Sequence, residues 1–172
     1  MPAWLWISLC IIAICGTFIG LLWLGWRHRQ RQQHALPEPA TLPAGLGEPT
    51  FAIDDIHYVA TTEIERALER ITVKPLGFLG RADLEVHPSG IAVGITGERA
   101  FFIPTADLIA VGRAQATIDR AVERDGLINL RWQLTPDFPV DSFFRVVDPA
   151  QRRELFDAID SLISASTSQE LV

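Results

Sequence analysis

Residues Ala3 to Trp26 form a run of 24 residues without a charged side chain, and this run constrains the chain more than any other feature in it. As an α-helix it would be about 36 Å long at ~1.5 Å per residue, enough to cross a hydrocarbon core of roughly 30 Å. Eleven of its residues are Leu, Ile or Phe, and at roughly −0.3 to −0.6 kcal/mol each they favour insertion by about 3 to 6 kcal/mol. Trp4 and Trp6 stand at one end and Trp23 and Trp26 at the other, where indole rings settle at the two membrane interfaces. A cleaved signal peptide would carry its basic residues before a shorter apolar core and small residues at the cut. Here the basic cluster Arg27, Arg29 and Arg31 follows the run, and Ile14 stands where a lipid-modified Cys15 would need a small neighbour. The expectation is a retained transmembrane helix over 3–26 and a basic juxtamembrane segment over 27–34. The positive-inside rule then puts the N-terminus outside the cell membrane and the C-terminal domain in the cytoplasm, as a single-pass protein.

The rest of the chain has the opposite charge. The formal net charge is −6 and the pI about 5.1. All 21 acidic residues follow His34, whereas 12 of the 15 basic ones do, giving 12 − 21 = −9 from Ala35 onward. A phosphate backbone demands a basic face, so nucleic acid is excluded as a partner. Both cysteines, Cys10 and Cys15, fall in the apolar run, leaving the remainder without a disulfide or a thiolate zinc site. Gly16 and Gly20 form a G-x-x-x-G spacing that would let a second helix approach in a weak homodimer, against which stands a lone helix.

Residues 35–50 read ALPEPATLPAGLGEPT, with Pro37, Pro39, Pro43 and Pro49 and no apolar period, as a linker does. From Phe51 the pattern becomes that of a single small domain ending near Ser164, with a disordered tail over 165–172. A strand is expected around Ile56 to Thr61. Ile64, Ala67, Leu68 and Ile71 then fall at helical spacing and predict a short helix over Glu63 to Ile71. Strands follow over Leu79 to His87, Ile91 to Ile95, Ala100 to Ile103, Leu108 to Arg113, Leu127 to Leu134 and Val140 to Val147, the first two of these joined by a Pro88-Ser89-Gly90 turn. Asp148 suits an N-cap, with Pro149 at the first helical position and Gln151 where a capping-box partner would sit. Leu155, Phe156, Ile159, Leu162 and Ile163 then make one apolar helical stripe. About seven strands and one amphipathic helix predict a mainly-β barrel or sandwich capped by a C-terminal α-helix.

Side chains suited to chemistry are few. Asp83, Glu85 and His87 share a strand face at i, i+2 and i+4, a spacing open to a metal, although a solvated face is the plainer reading. Asp54 and Asp55 are adjacent and so point to opposite faces of a strand. The glycines of Gly77-Phe78-Leu79-Gly80 and Gly94-Ile95-Thr96-Gly97 precede no helix and no G-K-[ST], so they mark turns and not a phosphate loop. Hydroxyls between Ser161 and Ser168 lack a neighbouring base, and Trp132 keeps register with Ile128, Leu130 and Leu134, as a core residue does. These features point to no enzyme, no cofactor and no metal.

The segments Tyr58-Val59-Ala60-Thr61-Thr62, Glu69-Arg70-Ile71 with Leu76-Gly77, Phe102-Ile103-Pro104, Asp125-Gly126-Leu127 to Trp132, and Phe144-Arg145, in this order, resemble a family of actinobacterial single-pass membrane proteins with a cytoplasmic pleckstrin-homology-like (PH-like) domain. The resemblance implies a seven-stranded, strongly bent barrel closed by a C-terminal helix, over 51–164, and no catalytic activity. The expected role is a membrane-anchored PH-like module that binds a membrane or cytoplasmic protein as a scaffold at the inner membrane face, with the bilayer itself as the partner of the N-terminal helix. Two alternatives stand beside it: an accessory subunit of a membrane transport or export complex, and a lipid-headgroup binder. Arg66, Arg70, Lys74 and Arg81 are the local basic cluster, of which Lys74 and Arg81 are the candidate lipid contacts. Glu63, Glu65 and Glu69 interleave with them and cancel much of their field.

Overall fold

The computed structural model describes residues 12–23, 25, 36–64, 66–114, 116–117, 120–121 and 126–170. The chain divides into two units, Met1–Leu36 and Pro37–Val172. In the first, α1 covers residues 12–23. Among the described residues no helix is long and apolar enough to cross a membrane. The expected span over 3–26 lies only in part within them: Trp23 does, while Trp4, Trp6, Trp26, Arg27, Arg29 and Arg31 lie outside. Gly16 and Gly20 are both in α1, with no heavy atom within 4 Å of a built Cβ at either.

The second unit is built on β1 (Phe51–Glu63), β2 (Arg66–Arg70), β3 (Gly80–His87), β4 (Gly90–Ile95), β5 (Phe101–Pro104), β6 (Leu108–Ala114), β7 (Ala116–Thr117), β8 (Arg120–Ala121), β9 (Leu127–Thr135), β10 (Phe138–Arg145) and α2 (Pro149–Glu170). A seven-strand antiparallel path runs β5-β4-β3-β1-β10-β9-β6, with β2 added to β1 and β7 paired with β8 apart from it. Its two end strands, β5 and β6, are joined by one 3-10 turn over Thr105–Asp107. Three residues can connect the opposite ends of such a path only if the sheet curls round on itself. The bend is placed in β1, whose Phe51 to Tyr58 pair with β3 while His57 to Glu63 pair with β10. Register shifts between Ile53 and Ile56 and between Tyr58 and Ala60 supply it, since a bulge bends and twists a strand. The seven-stranded sheet with a C-terminal helix is the PH-like architecture expected.

Alternation gives the core. Ala82, Leu84 and Val86 of β3 and Ile128, Leu130 and Trp132 of β9 are buried, while Arg81, Asp83 and Glu85 are exposed. Trp132 is 2% exposed and stacks on Phe101 at 6.3 Å between centroids, and Tyr58 meets Phe144 edge-on at 5.6 Å. Asp148 caps α2 by accepting from the Ala150 N–H at 2.8 Å, and Leu155 and Ile159 bury the helix against β6, β1 and the 3-10 turn.

Two local expectations are corrected. Glu63 to Ile71 is not a helix: Arg66–Arg70 pair antiparallel with the end of β1, Thr62 opposite Arg70 and Glu63 opposite Arg66. A helix of nine residues is marginal by itself, whereas the free edge of β1 satisfies the backbone at once, and Ile71 N–H continues the pairing to Thr61 O at 2.8 Å. The chain also does not fray at Ser164, because α2 continues to Glu170. Within 36–50, Pro39 is buried, the Phe102 N–H donates to Ala40 O at 2.8 Å and Thr41 bridges Phe101, so part of the Pro-rich stretch lies along the outer edge of β5.

Candidate functional site

The residues singled out for metal or lipid contact go separate ways. Asp83 Oδ1 accepts from the backbone N–H of Asp55 at 2.9 Å, where Asp55 takes a left-handed φ of 59° in the first bulge of β1. Glu85 Oε2 lies 3.1 Å from His87 Nε2, and His87, expected on an exposed face, is 1% exposed with Nδ1 unpartnered. Among the described residues no three His, Cys, Asp or Glu side chains gather as a metal site.

Arg81 is taken up by Asp55: its Nη1 lies 2.6 Å from Asp55 Oδ2 and donates to Asp55 O at 2.9 Å. Arg70 donates to Val59 O at 2.8 Å. Lys74 sits elsewhere, on the loop between β2 and β3, where it lines a small cavity of about 190 Å³ with Glu38, Thr41, Pro75 and Arg99. Thus Arg70 and Arg81 of the cluster that the sequence suggests are matched to acceptors and Lys74 stands apart from them, while the Arg66 side chain lies outside the described residues. Between β9 and β10 Arg131 forks onto Asp141 through Nε at 2.9 Å and Nη2 at 3.0 Å, and that hydrogen bonding raises the guanidinium pKa.

This unit also carries a groove of about 990 Å³. One wall is α2, through Ala158, Ser161, Leu162, Ala165 and Ser166. Facing it are Thr50, Phe51 and Val86, the β3–β4 tip at Pro88 and Ser89, and Pro104, Thr105, Ala106 and Leu108. No charged side chain lines it. Four of its five hydroxyls are already bonded to backbone carbonyls: Thr50 to Val86 at 2.8 Å, Thr105 to Pro88 at 3.3 Å, Ser161 to Asp157 at 2.7 Å and Ser166 to Ile163 at 2.7 Å. The surface therefore offers shape and apolar area with little to satisfy a polar ligand.

The two ends of the sheet also differ. The outer edge of β5 carries Ala40 and Thr41 of the same chain, whereas β6 pairs only with β9 among the described residues. Beside that open edge Arg113 lies over the Phe156 ring of α2 at 4.6 Å.

A comparison of the chain with protein families gives a match that covers this sheet and most of its helix. The family described as Bacterial PH domain-like matches residues 33–160, well over half of the chain. The chain belongs to this family. The match begins upstream of β1 and so takes in the stretch that runs along β5, and it ends within α2. No curated protein matches the chain. The PH-like domain places the groove where β3–β4, the 3-10 turn and α2 converge, a meeting of segments more than a hundred residues apart that no local motif announces.

Proposed function

We propose that the chain is a membrane-anchored, non-enzymatic interaction module whose PH-like domain binds a protein at the inner face of the membrane. The observation that carries the reading is the uncharged groove beside α2. A headgroup site needs clustered cations, and here Arg81 and Arg70 are turned to acceptors while no cation enters the groove. A protein surface needs what the groove has, apolar area with few open polar groups. The anchor is supported by the 24 uncharged residues from Ala3 to Trp26, and the orientation by Arg27, Arg29 and Arg31 after them. Tethering would raise the local concentration of the domain near any membrane-bound partner.

Two measurements test the reading. In a Cys10→Ala, Cys15→Ala background, a Cys introduced at Ser168 should resist an impermeant thiol reagent in intact cells and react after lysis; labelling in intact cells would overturn the orientation. Affinity capture from native membrane should retain proteins with the full chain that residues 1–36 alone do not. Identical sets from both baits would remove the domain from the binding role.

A further inference from the structure

We propose that the groove between α2 and the β3–β4 tip receives a short amphipathic helix of a protein partner, seated by its apolar face and flanked by Lys or Arg. The inference rests on the reading of the domain as a protein-interaction module and names the site and the chemistry of its occupant.

Three observations lead to it. The wall contributed by α2 runs from Ala158 to Ser166, about 12 Å along the axis or roughly two turns. Ala158, Ser161 and Ala165 are small and lie on one strip, so another helix can approach the backbone closely, while Phe51, Leu108 and Leu162 supply the apolar floor. The second observation is the state of the hydroxyls: four of the five already donate to backbone carbonyls, so a phosphorylated or other acceptor group entering the groove would lose water and find few donors in return. The third is charge. Glu154 and Asp157 stand exposed one helical turn before Ala158 and Ser161, and Asp107 immediately precedes Leu108. Arg152 of the same helix is directed to Val146 O at 2.9 Å. With no charge lining the groove and these three carboxylates within a turn of its lining residues along the chain, the complementary partner has an apolar face with cationic ends.

The probe is a designed peptide of ~14 residues, about four turns, with Leu and Ala on one face and Lys at both ends, titrated into the full-length protein in nanodiscs of neutral lipid. A second peptide carries Glu in place of Lys. The Lys peptide should bind at least about tenfold more tightly than the Glu peptide, and Ser161→Arg, at an exposed helix position, should weaken it by about tenfold or more. The pair Glu154→Lys and Asp157→Lys should narrow or reverse the preference between the two peptides. Equal affinity for both peptides, or indifference to Ser161→Arg, would overturn the proposal. Displacement of the peptide by lauric acid at lower concentration would also overturn it, by assigning the groove to an acyl chain, and so would a full-length dimer that Ser161→Arg converts to monomer, by assigning it to a second copy. A native-membrane capture that requires the domain yet is unchanged by Ser161→Arg would sink the groove assignment alone and leave the module reading in place.

Discussion

The indole N–H of Trp132 donates to Ser142 Oγ at 2.9 Å, and this bond begins a line of buried hydrogen bonds across three strands. Ser142 Oγ lies 2.7 Å from Thr61 Oγ1, Thr61 Oγ1 lies 2.5 Å from Tyr58 Oη, and Tyr58 Oη donates to Leu76 O at 3.0 Å. An indole only donates and a carbonyl only accepts. Each hydroxyl between them must therefore accept from one neighbour and donate to the next, and the line has one direction. It ties β9, β10 and β1 to the loop after β2 in a core where Tyr58, Thr61, Ser142 and Leu76 are fully buried.

Ser142→Ala should be costly despite the small change in volume. It leaves the Trp132 N–H and the Thr61 hydroxyl short of a partner in the core, for which about 1–3 kcal/mol of stability is the expected loss. Urea unfolding of the 37–172 unit measures it. The double variant Trp132→Phe, Ser142→Ala should cost less than the sum of the single changes, because Trp132→Phe removes the donor that Ser142→Ala would strand.

Tyr58 is the chain's only tyrosine, so its ionisation can be followed by tyrosinate absorbance without interference. Burial raises its pKa well above the ordinary value, against smaller lowering effects of the Thr61 hydrogen bond and the Arg70 charge. Below about pH 10 the phenol is neutral in both folded and unfolded chains and contributes no pH dependence. Above it the unfolded tyrosine loses its proton while the folded one keeps it, so stability should fall with rising pH by up to ~1.4 kcal/mol per unit. Tyrosinate should appear only as the domain unfolds, and Tyr58→Phe should abolish this fall. Ionisation of Tyr58 in the folded domain near pH 10 would contradict its burial.

Much of this fold is legible in the sequence because period-two alternation survives wherever one sheet face is buried. Ala82, Leu84 and Val86, and Ile128, Leu130 and Trp132, are such runs, and the structure buries them. The β2 segment misleads because Ile64, Ala67, Leu68 and Ile71 satisfy a helical spacing by chance. What decides is the open edge of β1, a tertiary feature with no local signature. His87 misleads in the same way: its period places it with exposed Asp83 and Glu85, yet it is buried. The tail hydroxyls read as fraying, although Ser161 and Ser166 bond back to carbonyls of α2 and face the groove. The groove itself was not legible at all, being assembled from Phe51, Val86, Leu108 and Leu162 on four separate elements.

Gly90 is the glycine that the barrel cannot replace. Its φ is 152°, and a Cβ there would lie 2.2 Å from Ile103 O and 2.7 Å from the Phe102 ring. The backbone oxygen cannot yield without breaking the β4–β5 ladder, in which Ile91 faces Ile103. Gly90→Ala should cost about 2–4 kcal/mol. Gly97→Ala is the control, since its φ of 85° is also left-handed but no atom lies within 4 Å of the added Cβ. Backbone strain alone should then cost about 1 kcal/mol, and a thermal melt of the two variants should separate strain from collision.

The last prediction concerns the lipid alternative and the two residues that carry it, Lys74 and Arg81. Arg81 is exposed but held by Asp55, and a partner carboxylate that close neutralises most of the field an anionic headgroup would meet. Lys74 shares its cavity with Arg99 but also with Glu38, and about 190 Å³ with one carboxylate among two cations is a poor cradle for a phosphate. From residue 37 onward 12 basic residues face 21 acidic ones, a balance of −9 that repels an anionic leaflet and is screened only beyond ~8 Å at physiological salt. The 37–172 unit should therefore stay in the supernatant when anionic vesicles are sedimented at low salt, and Lys74→Glu with Arg81→Glu should change nothing. Sedimentation of the unmodified unit, lost in the double variant, would make headgroup binding the leading function and would show that Asp55 releases Arg81 at a membrane surface.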